Sequence, residues 1–284
     1  MRILITGGAG QLGRDLQASL VDHEVRACSH SELDITDAAA VTSMIETFRP
    51  MVVLHTAALT DTARCEREPA AAHAANALGA RNVAVACANV GAAMAYVSTN
   101  EVFDGESANP YPESDEPNPI NAYGRSKLEG ERLVQEALPQ HYIVRTAWLY
   151  GHEGNTFVAK ILRAAEGGKL TGVKDELATP TWTRDLAHAL THLIETDVYG
   201  VYHLTNTGQA SRYEWVEEIL RLAGKSDVEL RAVTTAEYRA SLPADAVVPQ
   251  KPRSSVLRNV AAAKLGIKLR SWQEALADYF ASAR

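Results

Sequence analysis

The chain has 284 residues, of which 46% are hydrophobic and 22% are charged, and its net charge is −7. This length suffices for one large domain, or for a main domain with a smaller one. The acidic balance disfavours binding to a nucleic-acid backbone, and no apolar run approaches the roughly 20 residues of a membrane span. Three widely spaced cysteines without a CxxC pair indicate a reducing compartment, and the N-terminus lacks a signal-peptide pattern, so we expect a cytoplasmic protein. The histidines show no metal-ligand spacing, so we expect no catalytic metal.

A glycine-rich turn follows the first strand-like segment. Glycines at positions 7, 10 and 13 lie between an apolar run over 2–5 and a helical pattern over 14–20. In this context the spacing is typical of a dinucleotide phosphate site, where Gly7 allows the tight turn, Gly10 the close approach of the pyrophosphate and Gly13 close packing of helix on sheet. The amides of the helix N-terminus would then bind phosphate.

The second predicted strand, over 24–28, ends where a Rossmann fold contacts the adenosine ribose. Sites that prefer NAD usually carry an Asp or Glu there, whereas this chain has Ser29, His30 and Ser31 before its first acid, Glu32. Because no carboxylate repels it at the tip, a 2′-phosphate is tolerated. The pattern favours NADPH, with NADH as the alternative because no arginine lies at the tip to bind that phosphate.

Strand and helix patterns alternate through the first half of the chain. Further strands are expected over 51–54 and 92–97. The alternation predicts an α/β protein with a Rossmann-type, doubly wound parallel sheet, whose ligands bind at the carboxyl ends of the strands. The small residues Ala57 and Ala58 would let a cofactor lie across the third strand end. Asp34 either faces the adenine or caps the next helix.

A tyrosine and a lysine are one helical turn apart downstream of the 92–97 strand. Tyr123 and Lys127 fall in a helical pattern, so both side chains lie on one face. An ammonium stabilises phenolate over phenol, so Lys127 would lower the pKa of Tyr123 towards working pH. Thr99, just after the strand, would hydrogen-bond the same substrate oxygen. A surface Tyr–Lys pair is the commoner origin of this spacing on its own.

These features occur in the order found in extended short-chain dehydrogenases/reductases, which the chain resembles. The chain is also similar to the dTDP-4-dehydrorhamnose reductase family over nearly its whole length. The segments that carry the resemblance are 10–13, 33–37, 102–105, 123–131, 145–151, 154–157, 180–181, 200–204 and 253–257.

The resemblance implies that NADPH reduces C4 of a nucleotide-linked 4-keto-6-deoxyhexose, converting dTDP-4-dehydrorhamnose to dTDP-L-rhamnose. Tyr123 would protonate the alkoxide, Lys127 would also hold the nicotinamide ribose, and Thr99 would hydrogen-bond the ketone. The family's cofactor-binding positions fall on Gly7, Gly10, Gln11, Leu12, Gly13, Ser29, Asp34, Ile35, Ala57, Ala58, Tyr123 and Lys127. A homodimer is left open, because the sequence does not determine the oligomeric state.

The substrate-binding positions implied by the resemblance are Thr60, Asn100, Trp148, Asn155 and Arg253. Trp148 would stack on the base or sugar, although a core tryptophan is equally compatible with its type. Arg253 would pair with the substrate diphosphate; a solvated surface arginine is the alternative.

One departure from the family concerns the residues after Thr99. The reductases usually continue with Asp-Tyr, whereas this chain has Asn100 and Glu101. Sister 4,6-dehydratases place Asp-Glu there and use both carboxyls, but the Asn100 amide cannot act as their acid. We interpret Glu101 as a variant rim residue. Two further alternatives stay open: a regulatory subunit similar to the methionine adenosyltransferase β subunit, and a reductase of another nucleotide sugar such as a GDP-linked ketohexose.

After residue 150 the alternation breaks down. Helices are expected over 155–165, 182–194, 213–223, 236–240 and 272–281, strands over 169–173 and 201–204, and loops over 175–180 and 243–252. We predict a dinucleotide-binding domain formed by 1–150 plus about 181–208. A smaller, mainly C-terminal substrate-binding domain would comprise about 151–180 plus 209–284.

Overall fold

The computed structural model describes residues 1–154 and 156–282. Its strands are β1 (Arg2–Thr6), β2 (Glu24–Cys28), β3 (Val52–His55), β4 (Ala93–Thr99), β5 (His141–Thr146), β6 (Leu149–Tyr150), β7 (Lys169–Val173), β8 (Leu177–Ala178), β9 (Thr181–Trp182), β10 (Gly200–His203), β11 (Ala210–Ser211) and β12 (Glu229–Val233). Its α-helices are α1 (Gln11–Ser19), α2 (Ala38–Phe48), α3 (Thr62–Arg67), α4 (Pro69–His73), α5 (Gly79–Val90), α6 (Ala122–Ala137), α7 (Phe157–Ala164), α8 (Thr183–Ile194), α9 (Arg212–Leu222), α10 (Thr235–Ala240), α11 (Val260–Lys264) and α12 (Trp272–Ser282).

A six-stranded parallel sheet forms the centre of the molecule, in the order β10-β5-β4-β3-β1-β2. Its inner strands are continuous apolar runs, as expected of strands covered on both faces. In β1, for example, Ile3, Leu4 and Ile5 are fully buried. The predicted α/β fold with a doubly wound parallel sheet is confirmed.

The strand order reverses next to β1. The chain runs from β1 outward to β2 and then returns to the opposite side of β1 as β3. At such a switch point the connections leave in opposite directions and open a crevice at the carboxyl ends of the two strands. The segments that follow β1 and β3 therefore border one binding site.

Helices cover both faces of the sheet. On one face, α1, α8 and α11 contribute to a common core with Leu16, Leu190 and Ala262. On the other face, α2, α5 and α6 pack together around residues such as Ile45 and Val83. The stretch that contains α8 and β10 thus returns to the main sheet although it lies after residue 150.

A second hydrophobic core lies around three tryptophans, Trp182, Trp215 and Trp272. It is formed by α7, α9 and α12 together with the β6/β9 pair. Two further two-stranded sheets, β8/β11 and β7/β12, complete this part of the described chain. We propose that this core belongs to the substrate-binding domain.

The element predictions fail mainly where elements are short. The chain from Pro69 to Val90 follows one helical path, which passes through a π-helical turn over Ala74–Leu78. The predicted loop over 175–180 contains β8, and α3, β11, β12 and α11 were not foreseen. Strands of two residues carry no periodicity, so their pairing depends on tertiary contacts that local sequence does not encode.

A buried ion pair joins α6 to β5. Arg145 Nη2 lies 2.7 Å from Glu131 Oε2, and Arg145 Nε donates to Glu131 Oε1 at 3.0 Å. Ser98 donates its hydroxyl to the same carboxylate. The two charged residues are only 2% and 4% exposed, so each depends on the other for compensation of its charge.

We expect Glu131→Gln to lower the free energy of unfolding by about 3 kcal/mol, because it leaves the Arg145 charge buried without its partner. Urea unfolding of the pure protein measures this loss. The matched control is Glu129→Gln on the same helix, whose carboxylate makes only a partly exposed contact with Arg132 at 3.7 Å; its effect should stay within about 0.5 kcal/mol. Equal effects of the two changes would contradict the role of the pair.

Candidate active site

A cavity of about 1170 Å³ lies at the carboxyl ends of β1, β3, β4 and β5. This exceeds the roughly 300–1,000 Å³ of a typical small-molecule site, so it has room for two ligands side by side. Of the sequence-predicted residues, those that line it are Gly7, Gly10, Gln11, Leu12, Gly13, Asp34, Ile35, Ala57, Ala58, Thr60, Thr99, Asn100, Tyr123, Lys127 and Trp148.

The glycine turn leaves no room for side chains on its inner side. Gly7 has a φ of +73°, and a Cβ on Gly13 would lie 2.4 Å from the Gly7 carbonyl oxygen. At Gly10 an added Cβ would lie 3.2 Å from the same oxygen, which is closer than an ordinary van der Waals contact. Because Gly10 is the N-cap of α1 and has no side chain, the first amides of the helix point to the cavity uncapped.

Two buried polar atoms in the cavity wall are available to bind a ligand. Gln11 Oε1 and Thr146 Oγ1 are buried and lack a hydrogen-bond partner among the described residues. Buried polar atoms are almost always paired in folded proteins. Together with the uncapped helix end, they fit a dinucleotide that lies across the tips of β1 and β5.

Some of the polar residues that follow β2 line the cavity, and others do not. Asp34 lines the cavity and accepts hydrogen bonds from the Thr36 amide at 2.9 Å and hydroxyl at 2.8 Å, which lower its pKa. The helix cap considered for Asp34 is provided by Asp37. Ser29 is not in the cavity wall, and its hydroxyl donates to Glu32. His30 and Arg14, which the sequence did not single out, line the cavity instead.

The Tyr123–Lys127 pair lies at the start of α6, beside the end of β4. A hydrogen bond with Thr99 lowers the pKa of Tyr123, but burial and the Glu101 charge outweigh it and raise that pKa well above its usual value. Lys127 Nζ lies 3.9 Å from the centre of the Tyr96 ring, and burial lowers the pKa of Lys127 to about 7. The expected lowering of the Tyr123 pKa by Lys127 is therefore not seen.

With its pKa raised, Tyr123 carries its phenolic proton at neutral pH, as a tyrosine of ordinary pKa also does. This state suits a residue that gives a proton to a substrate oxygen, because the phenol must carry the proton before the reaction. The Thr99 hydroxyl lies within reach of the same phenol. The arrangement is suited to protonating a ketone oxygen as the carbonyl is reduced.

The predicted substrate residues do not all lie in the cavity. Asn100 is buried, donates to Ser255 Oγ at 2.6 Å and accepts from the Thr99 hydroxyl at 3.3 Å. Thr60 and Trp148 border the cavity, but Arg253 is exposed and does not. Asn155 lies outside the described residues.

Three charged residues that line the cavity were missed or misjudged. Glu101, interpreted as a rim residue, is mostly buried and pairs with Lys251 at 2.7 Å. It also accepts from Asn121, the N-cap of α6, at 2.7 Å. Lys251 lies at the end of the predicted 243–252 loop, two residues before the Arg253 that the resemblance implies. Arg212 begins α9, and nothing in its local sequence separates it from a surface residue.

The comparisons with known proteins show the family of the chain. A family model described as "RmlD substrate binding domain" matches residues 1–284. The chain belongs to the RmlD substrate-binding-domain family. It is 41% identical to a dTDP-4-dehydrorhamnose reductase from Streptomyces griseus, over 98% of this chain and 93% of that protein. It is 37% identical to a dTDP-4-keto-6-deoxy-D-glucose reductase from Streptomyces niveus, over 98% of this chain and 96% of that protein.

Among solved structures, the dTDP-4-dehydrorhamnose reductase from Bacillus anthracis str. Ames, in complex with NADP, is similar with a TM-score of 0.93. Its identity is 36%, and the match covers 99% of each chain. The resemblance read from the sequence motifs is thus confirmed at the level of the RmlD family. Among the described residues, no helix is long and apolar enough to cross a membrane, and no cluster of three metal-ligating side chains occurs.

For this member of the RmlD family we expect Gly13→Ala to weaken NADPH binding by at least roughly tenfold, since the added methyl would push the Gly7 carbonyl into the phosphate-binding turn. Fluorescence titration with NADPH measures the affinity. Gly167→Ala is the control, because a Cβ at Gly167 meets no atom within 4 Å. Unchanged affinity in the Gly13 variant would exclude the turn as the phosphate site.

Proposed function

We propose that the protein is an NADPH-dependent reductase of the C4 ketone of a dTDP-linked 4-keto-6-deoxyhexose, with dTDP-4-dehydrorhamnose as substrate and dTDP-L-rhamnose as product. The chain is an oxidoreductase of the RmlD family. The observation that carries the proposal is the meeting of Thr99, Tyr123 and Lys127 in the cavity that also holds the glycine turn. The relatives are reductases of dTDP-linked sugars by name, which supports this substrate class.

The cofactor-binding groups would be the amides at the start of α1, the Gln11 and Thr146 oxygens, and Lys127. The NADP in the Bacillus anthracis relative supports this cofactor. When bound, a reduced nicotinamide supplies the hydride for C4 of the sugar. At the adenosine end, Arg14 and His30 are the basic residues available to a 2′-phosphate, which supports NADPH over NADH.

The residues of this chain would orient the ketone and supply its proton. The Thr99 hydroxyl donates to the C4 oxygen and fixes its position beside Tyr123. Tyr123 transfers its phenolic proton to that oxygen as negative charge develops, and the tyrosinate is later reprotonated from solvent. Lys127 would hold the ribose hydroxyls of the cofactor.

The contacts of Asn100 and Glu101 do not favour a dehydratase. An amide has no carboxyl proton to give to a leaving hydroxyl, and Asn100 is engaged with Ser255. The Glu101 carboxylate is engaged with Lys251 and Asn121. Neither group is disposed as a free acid or base at the sugar.

Turnover of NADPH tests the proposed function. The wild-type protein is offered dTDP-4-dehydrorhamnose, its unepimerised dTDP-4-keto-6-deoxyglucose counterpart and a GDP-linked 4-keto-6-deoxyhexose. We expect oxidation with the first and little with the third. Turnover of the GDP sugar alone would change the substrate class. Tight NADPH binding with no turnover of any sugar would instead favour the regulatory-subunit alternative.

We expect Tyr123→Phe to reduce kcat at least roughly 100-fold while NADPH affinity stays near the wild-type value, since only the proton donor is lost. Steady-state kinetics with the dTDP sugar measure kcat. A parallel titration with NADPH measures the affinity for the cofactor. Tyr238→Phe, at an exposed tyrosine of α10, is the control. Near wild-type turnover by the Tyr123 variant would rule out this residue as the acid.

A further inference from the structure

The cations that line the cavity differ in how their charges are compensated. Lys251 pairs with Glu101, and Arg64 pairs with Glu68 at 2.9 Å. The Lys127 ammonium lies over the ring of Tyr96. Arg14 lies beside the glycine turn, where it is exposed and donates to a backbone carbonyl oxygen. The remaining arginine of the cavity wall is Arg212.

Arg212 carries a half-buried guanidinium without a close counterion. Within residues 1–154 and 156–282 no carboxylate oxygen lies within 4.0 Å of it and it makes no hydrogen bond. Glu176 and Glu101 act on it only at longer range, and burial lowers its pKa to about 10, so it stays charged at neutral pH. Keeping a buried cation without a close partner is costly unless a ligand supplies the negative charge.

The guanidinium lies over the face of an aromatic ring. Its central carbon lies 3.6 Å from the centre of the Trp148 ring, which stacks in turn on Trp215 at 5.5 Å. Trp148 adopts a φ of +41°, a strained conformation for a bulky residue. Stacking leaves the N–H edges of an arginine free for two parallel hydrogen bonds, which is the geometry that recognises phosphate.

Arg212 lies away from the glycine turn, where the phosphates of the cofactor would bind. The glycine turn follows β1, whereas Trp148 follows β5, three positions further along the sheet order β1-β3-β4-β5. Tyr123 and Thr99 lie between, at the end of β4. A molecule that reached both the catalytic tyrosine and Arg212 would enter from the side of α9 and not from the side of α1.

We propose that Arg212, stacked on Trp148, binds the diphosphate of the sugar-nucleotide substrate, in place of the Arg253 that the sequence resemblance implies. This assignment rests on the proposed function. It makes Arg212 a substrate-affinity determinant that leaves the cofactor site untouched.

Calorimetric titration of the wild type and of Arg212→Met with dTDP, thymidine and NADP⁺ tests the assignment. Methionine keeps an unbranched apolar stem on Trp148 but removes the charge. We expect dTDP affinity to fall roughly 10- to 100-fold, with thymidine and NADP⁺ affinities unchanged. Arg221→Met, an exposed arginine of the same helix, should change none of these values. Arg212→Lys should restore part of the loss.

The outcomes separate this assignment from the proposed function. A wild type that binds NADP⁺ but not dTDP would overturn both. Wild-type dTDP affinity in the Arg212→Met protein would overturn only the assignment, and so would a loss confined to NADP⁺. A loss of dTDP affinity in Arg253→Met and not in Arg212→Met would restore the residue implied by the sequence.

Discussion

The site depends on how closely α6 approaches the end of β4 and the π-helical turn. A Cβ on Gly124 would lie 2.1 Å from the Glu101 carbonyl oxygen, and a Cβ on Gly130 would lie 2.3 Å from both the Tyr96 hydroxyl and the Asn76 carbonyl oxygen. No larger residue fits at either point without moving the helix. Gly130, which reads locally as a helix breaker, is thus a packing contact, and its cost in helix propensity is offset by close packing.

The close approach of α6 to β4 is fixed by hydrogen bonds between buried groups. Few alternative packings would satisfy these bonds. The side-chain amide of Asn76 donates to the Ser126 hydroxyl at 2.9 Å, and the backbone carbonyl of Asn76 accepts from the Tyr96 hydroxyl at 2.9 Å. The aromatic ring of Tyr96 in turn supports the Lys127 ammonium. Because buried polar groups are costly when unpaired, this network specifies one position of the helix on the sheet. The orientation of Tyr123 towards the cavity follows from that position.

The parts of the site that depend on short stretches of chain could be predicted from the sequence. The glycine turn and the Tyr123–Lys127 spacing are set by local geometry, since each lies within one strand–turn–helix unit or one helix. Arg212 and Lys251 could not be predicted, because they reach the cavity from distant segments whose docking is a tertiary effect. The direction of the Tyr123 pKa shift was also missed: it depends on burial and on Glu101, neither of which spacing reveals.

We propose that a dTDP-linked ketosugar is reduced at C4 in this cavity. The most direct test of this proposal uses NADPH that carries deuterium at the transferable position of the nicotinamide, with NMR analysis of the sugar product. We expect one deuterium on C4 of a dTDP-6-deoxyhexose that bears a new hydroxyl there. A product labelled at another carbon, or a converted sugar without label, would contradict it.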